Sequence, residues 1–179
     1  EIGMLGAKPD ERLRTPMQWS AAPGGGFTRG TPWERFQDDS AITTVEAQER
    51  DSLSLLNFHR RLIHLRDTTP ALAHGRLVPL TVHDAGVAAY VRRDGNRSIL
   101  VIANLASTPV EGVTLNSLDH ALPAGSWTLR NLLDGTIGAP LSVRADGRLR
   151  DYLPLATLAP MNGYLFELSA ARRPRTSTR

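Results

Sequence analysis

The spacing of apolar residues changes twice along this chain of 179 residues. Residues 1–50 contain scattered proline and glycine and show no sustained helical or strand period. A helical period then places Leu55, Leu62 and Ile63 on one face of a predicted amphipathic helix. From Arg76 onward, short apolar runs alternate with polar residues in the manner of strands. The pattern therefore predicts a long loop, one helix and a β-rich domain.

Local signals set the expected limits of these elements. Asp51-Ser52 predicts the N-cap of the helix and Pro70 its end. Turn sequences such as Asp94-Gly95-Asn96 and Asp134-Gly135 separate the later apolar runs. Short strands divided by such turns are typical of an antiparallel sandwich or Greek-key domain. We predict strands at residues 77–82, 87–92, 99–104, 110–115, 127–132 and 164–168, with short pieces at 141–143 and 155–158.

Composition excludes several classes of function. The net charge is +3, but no basic stripe is interleaved with aromatic residues, so we expect no nucleic-acid partner. No apolar run approaches the length of a membrane span, so we expect no membrane role. Cysteine is absent, which excludes disulfides and thiolate metal sites and is compatible with both cytosolic and secreted bacterial proteins. Localisation is therefore open. Residues 169–179, which include Arg172, Arg173, Arg175 and Arg179, predict a disordered basic tail.

The stretch Arg14-Thr15-Pro16-Met17-Gln18-Trp19 has a composition suited to a sugar ring. Pro16 predicts an ordered, non-helical loop. Within it Arg14 offers a fork of donors, Gln18 a donor and an acceptor, and Trp19 a flat face. The residues alone leave two structural alternatives open: Arg14 could anchor the loop, and Met17 could pack beneath it together with Trp19.

Order and spacing of several segments resemble the alpha-amylase superfamily, glycoside hydrolase family thirteen, in its alpha-glucosidase, oligo-1,6-glucosidase, alpha-amylase and trehalose synthase branch. The resemblance is specific up to about Arg93 and follows the strand pattern beyond it. The segments that carry it are Glu1-Ile2-Gly3-Met4, Leu13 to Ser20, Gly26-Phe27-Thr28, Thr31-Pro32-Trp33 and Leu55 to Arg66.

The resemblance implies a domain plan. Residues 1–50 would be the loop after the eighth strand of a (β/α)8 barrel, and residues 51–69 the eighth barrel helix. Residues 70–168 would be a C-terminal antiparallel β-sandwich of Greek-key type, so the fold class is mainly β. The rest of the barrel would be the intramolecular partner, and without it the apolar face of the helix would be exposed.

Glycoside hydrolysis normally needs two carboxylates on opposite sides of the scissile bond. The loop acids Asp10, Glu11, Asp38 and Asp39 are expected to be solvated surface residues. The resemblance implies that the catalytic acids lie upstream of residue 1, so we assign no catalytic residue, metal site or cofactor to this chain. It implies that Arg14 binds substrate at the rim of the glucose pocket. Gln18 and Trp19 are expected to support its loop.

Two classes of function follow from these features. In the first, the chain is the C-terminal part of a retaining alpha-glucosidase or alpha-amylase type enzyme, acting on malto- or isomalto-oligosaccharides or starch and inactive by itself. A trehalose synthase-like transglycosylase is a variant of this hypothesis. In the second, the chain is a non-catalytic β-sandwich module that stabilises a barrel or binds glucan.

Overall fold

The computed structural model describes residues 1–37, 39–40 and 42–171. The chain divides into two compact units, Glu1–Arg66 and Asp67–Arg179, called here the first and the second unit. Residues 172–179, which hold the four arginines of the predicted tail, lie outside the described residues, as does Asp38.

The first unit consists of irregular segments and helices. Single 3-10 turns occur at Asp10–Arg12 and Pro23–Gly26, and helix α1 spans Val45–Arg50. The expectation that residues 1–50 contain no helix was wrong for α1. The Thr44 side chain caps this helix by accepting a hydrogen bond from the Ala47 amide at 3.1 Å. Six residues are too few to produce a visible apolar stripe, which explains why the periodicity gave no signal.

The long helix, α2, spans Leu55–Thr68 and begins later than its predicted N-cap at Asp51-Ser52. The Ser54 hydroxyl caps it instead by accepting from the Asn57 amide at 3.2 Å. Asp51 closes the preceding turn, where its carboxylate accepts from the Leu53 amide at 2.8 Å. Pro70 does follow the end of α2, but it also begins a short separate helix, α3, at Pro70–Ala73.

The strands of the second unit are β1 (Arg76–Pro79), β2 (Val87–Asp94), β3 (Arg97–Asn104), β4 (Val110–Glu111), β5 (Gly125–Asn131), β6 (Ile137–Val143), β7 (Thr157–Leu158) and β8 (Asn162–Ala170). Six of them form an entirely antiparallel sheet with the order β1-β2-β3-β8-β5-β6. A separate antiparallel ribbon joins β4 and β7. Strand β8, the last of these in sequence, therefore lies in the interior of the sheet between β3 and β5.

Alternate residues of the large sheet point into one continuous apolar core. Leu100 and Ile102 of β3 and Phe166 of β8 are almost completely buried there. Segments outside the sheet, including Leu122 and Leu149, contribute to the same core. The unit is therefore mainly β and antiparallel, as the sequence predicted.

Some strand limits differ from the expectation. The predicted strand at 110–115 is paired only at Val110–Glu111, with an isolated bridge from Leu115 to Tyr152. Strand β8 continues to Ala170, so the predicted tail boundary at residue 169 was wrong. Ser169 and Ala170 pair with Thr128 and Trp127 of β5, and this pairing extends the strand beyond its last large apolar residue.

Candidate functional site

Arg14 projects from the end of the 3-10 turn in the first unit. Its amide donates to the Asp10 carbonyl at 3.0 Å, and its guanidinium forms an ion pair with the Asp10 carboxylate at 3.1 Å. The Arg14 side chain is 77% exposed, so most of its hydrogen-bonding fork faces solvent. Asp10 and Glu11 are exposed, as expected for surface acids. Arg14 is therefore available to a ligand that displaces Asp10 or bonds the guanidinium beside it.

Gln18 is the most buried polar residue of this loop, with no exposed surface. Its side-chain amide donates to the Thr43 carbonyl at 2.6 Å, and its side-chain oxygen accepts from the Gln37 amide at 3.2 Å. Its main-chain carbonyl accepts from the Val45 amide at 2.9 Å. Gln18 thereby joins the Arg14 loop to two later segments of the chain.

Gln37 holds the loop from the other direction. Its side-chain amide donates to the Arg12 carbonyl at 2.7 Å and to the Thr15 hydroxyl at 3.1 Å. These two bonds hold the chain on both sides of Arg14, at the Arg12 carbonyl and at the Thr15 side chain. Gln37 was not predicted from the sequence, because the partners of its side chain lie more than twenty residues away and no local motif marks such a bond.

A third glutamine connects the chain start to the helices. The Gln48 side chain donates to the Ile2 carbonyl at 2.6 Å and accepts from the Leu56 amide at 3.0 Å. Ile2 is buried, whereas Glu1 is exposed. Gln18, Gln37 and Gln48, called here the glutamine ties, thus link successive irregular segments of the first unit.

Trp19 stabilises the loop mainly through the hydrogen bonds of its backbone. Its amide donates to the Gly25 carbonyl at 2.8 Å, and its carbonyl accepts from the Glu46 amide at 3.0 Å, while the residue is 50% exposed. Gly25 has a φ of 61°, and a Cβ at this position would lie 2.6 Å from the Phe36 ring. The turn beside Trp19 therefore requires glycine at residue 25.

An open cavity of about 600 Å³ lies beside the Arg14 loop. Its lining includes Arg12 and Thr15 from the loop and the carboxyl-bearing residues Glu34 and Asp39. Asp39 is half-buried, and one of its carboxylate oxygens has no hydrogen-bond partner. The Glu34 carboxylate accepts from the neighbouring Arg35 amide at 3.0 Å. The lining is mixed, with apolar side chains such as Leu5 and Ile42 beside the two carboxyl groups.

The marked electrostatic perturbations lie in the second unit. Hydrogen bonds from Arg150 lower the pKa of Asp146 to about 2. The Thr136 amide lowers the pKa of Asp134, and burial raises the pKa of Tyr152. Each group closes a turn or lies in the core. Within residues 1–37, 39–40 and 42–171, no His, Asp and Glu residues are grouped to hold a metal, and no helix is long and apolar enough to cross a membrane.

The loop that carries Arg14, Gln18 and Trp19 lies inside a match to a known family. Residues 3–75 match the alpha-amylase catalytic domain. This segment of the chain belongs to the alpha-amylase superfamily. The match ends near α3, so the antiparallel sheet of the second unit lies beyond it.

Two curated relatives show the extent of the sequence match. The trehalose-6-phosphate hydrolase of Bacillus subtilis (strain 168) is 28% identical over 166 residues, which are 93% of this chain and 27% of that protein. The oligo-1,6-glucosidase of Parageobacillus thermoglucosidasius is 33% identical over 104 residues, which are 58% of this chain and 18% of that protein. This chain therefore spans about a fifth to a quarter of the length of these relatives.

Solved structures agree with this assignment. The crystal structure of isomaltulose synthase from Klebsiella sp. LX3 superposes with a TM-score of 0.65 and 30% sequence identity, covering 89% of this chain and 26% of that one. The similarity thus includes the β-rich second unit as well as the segment matched to the catalytic domain. The family is one of enzymes that act on α-glucosidic bonds.

Proposed function

We propose that this chain forms the C-terminal part of a retaining alpha-glucosidase or alpha-amylase type enzyme, with Arg14 as a substrate-binding residue. The observation that supports this most strongly is the arrangement of the Arg14 loop. The guanidinium is exposed, whereas the main chain beneath it is fixed by the buried Gln18 and by Gln37. A charged donor on a rigid support is the arrangement that recognition of sugar hydroxyls requires, because little entropy is lost when the ligand binds.

Arg14 alone cannot perform the reaction. Retaining hydrolysis requires a carboxylate nucleophile and a carboxylic acid about 5 Å apart across the glycosidic bond. Near Arg14, Asp10 pairs with the guanidinium and Glu11 is exposed, while Glu34 and Asp39 line the open cavity beside the loop. From the match to the alpha-amylase catalytic domain we infer that the catalytic carboxylates are supplied from upstream of residue 1, and that the chain alone is inactive. Arg14 would then bond hydroxyls of the terminal glucose and pair with an acid of the barrel.

The remaining barrel is the proposed intramolecular partner of the first unit. Helix α2 buries none of its residues within the described chain, and Leu55 and Ile63 on its apolar face are 43% and 57% exposed. A face of this kind needs a covering surface. We propose that α2 is the eighth barrel helix and that the second unit is the C-terminal Greek-key β-sandwich, with the β4–β7 ribbon as part of its second layer.

A transglycosylating enzyme is the second candidate, and the similarity to isomaltulose synthase favours it. The molecule that accepts the glucosyl group separates a transglycosylase, which uses a sugar, from a hydrolase, which uses water. An enzyme of this kind would convert sucrose or maltose into an isomeric disaccharide, whereas a hydrolase would release glucose. A non-catalytic glucan-binding module has less support, because Trp127, Tyr152, Tyr164 and Phe166 are all buried and cannot offer a flat aromatic surface.

A chimera tests the proposal. Residues 1–171 would replace the matching C-terminal segment of the oligo-1,6-glucosidase of Parageobacillus thermoglucosidasius, and release of glucose and of disaccharide products would be measured for isomaltose, maltose and sucrose. We expect activity from the chimera and none from this chain alone. A folded chimera without activity, or hydrolysis by the chain alone, would contradict the proposal.

A further inference from the structure

Asn162 and Gly163 open strand β8, directly after a turn at Pro160 and Met161. They form the one Asn-Gly sequence among the six asparagines of the chain. Asn162 is exposed, and the Gly163 amide donates to the Asn162 side-chain oxygen at 3.0 Å. This bond brings the Gly163 nitrogen against the side-chain carboxamide of the preceding residue. We propose that Asn162 is a site of spontaneous deamidation and isoaspartate formation.

Within the described residues, the neighbouring strands do not engage the Gly163 amide, which donates to the Asn162 side chain instead. Two residues further along, the Leu165 amide donates to the Asn131 side-chain oxygen at 3.0 Å, and the Leu165 carbonyl accepts from the Leu132 amide at 2.9 Å. Because backbone groups alternate in direction along an antiparallel strand, Gly163 faces the same side. Pairing of β5 with β8 ends at Asn131 and Phe166, so Gly163 lies beyond the end of β5 and outside that ladder.

The reaction needs water and no other reagent. A base removes the Gly163 amide proton, and the nitrogen attacks Asn162 Cγ to form a new C–N bond. The Cγ–Nδ2 bond breaks, and the leaving nitrogen takes a proton from the conjugate acid of that base and departs as ammonia, so that a five-membered succinimide remains. Water then opens one of its two carbonyls. One product is aspartate, and the other is isoaspartate, in which the main chain runs through the side-chain carbon and is one carbon longer.

Isoaspartate at residue 162 would alter the start of an interior strand. Asn162 pairs with Asn104 of β3. The buried Asn104 side chain donates to the carbonyls of Thr108, Leu158 and Ala159, so it anchors the turn that leads into β8. An extra main-chain carbon opposite Asn104 would shift this pairing. The modification is therefore expected to loosen the adjoining turn as well as to add a charge.

The chain offers an internal reference and a matched variant. Asn116 precedes Ser117, and both ends of its side chain are held by Asp151 at 3.2 and 2.8 Å. Gly163 can become alanine without a clash, because its φ is not positive and a Cβ would meet no atom within 4 Å. Gly163→Ala therefore hinders succinimide closure while keeping the fold.

Incubation of the purified chain at mildly alkaline pH, followed by peptide mapping and labelling with isoaspartyl methyltransferase, tests the proposal. We expect conversion at Asn162 to exceed that at Asn116 by an order of magnitude or more. Gly163→Ala should slow it by a similar factor, and Asn162→Gln should abolish methyl acceptance at this position. Equal deamidation rates at Asn162 and Asn116 would overturn the proposal. A deamidation rate at Asn162 that is the same in Gly163→Ala as in the unchanged chain would also overturn it.

Discussion

The two units of this chain are stabilised in different ways. The second unit buries a continuous apolar core beneath its sheet, to which β2, β3, β5, β6 and β8 all contribute. In the first unit, Ile2 is the one large aliphatic side chain that is buried in the described residues, and its other buried side chains are Pro16 and the polar Gln18, Thr44 and Ser54. The difference teaches that the second unit carries its own core, whereas the first is held mainly by hydrogen bonds.

The energies of apolar burial and of hydrogen bonding support this contrast. Burial of a large apolar side chain contributes about 1.5–3 kcal/mol, and a typical hydrogen bond contributes a net of about 1 kcal/mol. The first unit also exposes a set of large apolar side chains. They are Leu5, Leu13, Trp19, Phe27, Trp33, Ile42, Leu53, Leu55 and Ile63. We therefore expect the second unit to unfold cooperatively and the first to open more readily.

The largest predicted effect is in the core of the second unit. Phe166→Ala removes a completely buried ring and should lower the free energy of unfolding by about 3–5 kcal/mol. Ile63→Ala, on the exposed face of α2, should change it by less than about 0.5 kcal/mol. Urea unfolding followed by circular dichroism measures both. Similar losses for the two variants would show that the units share one core.

A smaller effect is predicted for the glutamine ties. Gln18→Ala removes two side-chain hydrogen bonds and leaves the Thr43 carbonyl without its partner, so local opening should become easier by about 1–3 kcal/mol. Hydrogen exchange should show faster exchange of the Gln37 amide. Gln48→Ala is the matched control, because it should release the Leu56 amide and leave Gln37 unchanged. Unchanged exchange in Gln18→Ala would mean that burial of other groups holds the loop.

The smallest effect is predicted for an exposed ion pair of the second unit. Arg150 lowers the pKa of Asp146 from its ordinary value of 3.8 to about 2, so the pair adds stability above pH 3.8 and loses it as the pH falls toward 2. Asp146→Asn should therefore be slightly less stable than the wild type at neutral pH and should approach it only below about pH 2. Thermal unfolding across this range measures the difference. A large loss at neutral pH would contradict a core-dominated second unit.

Sequence patterns predicted the interior strands better than they predicted the hydrogen bonds of the loops. Strands β2 and β3 were predicted from their apolar runs: buried residues alternate with more exposed ones in β2, whereas three successive residues are buried in β3. The strand predicted at residues 110–115 is mostly irregular, since apolar burial there does not require continuous pairing. Helix α1 and Gln37 were missed for a related reason. A short cap and a hydrogen bond between distant residues leave no periodic signal.

For the site, the sequence could supply the family and the residue Arg14, because both depend on a contiguous motif. It could not show that Arg14 pairs with Asp10, nor that Gln18 and Gln37 fix the loop from two sides. These contacts depend on tertiary arrangement. The role of Arg14 in substrate binding stays a prediction.

The most direct test measures Arg14 in the active chimera. Arg14→Ala should lower kcat/KM for isomaltose by about 10–100-fold, because a charged hydrogen bond to the sugar is lost. Arg14→Lys should retain part of the activity, and Arg61→Ala, an exposed arginine of α2, should retain all of it. The proposed role of Arg14 predicts this order of kcat/KM values. Full kcat/KM in Arg14→Ala would contradict the claim that the Arg14 loop forms one wall of the glucose pocket.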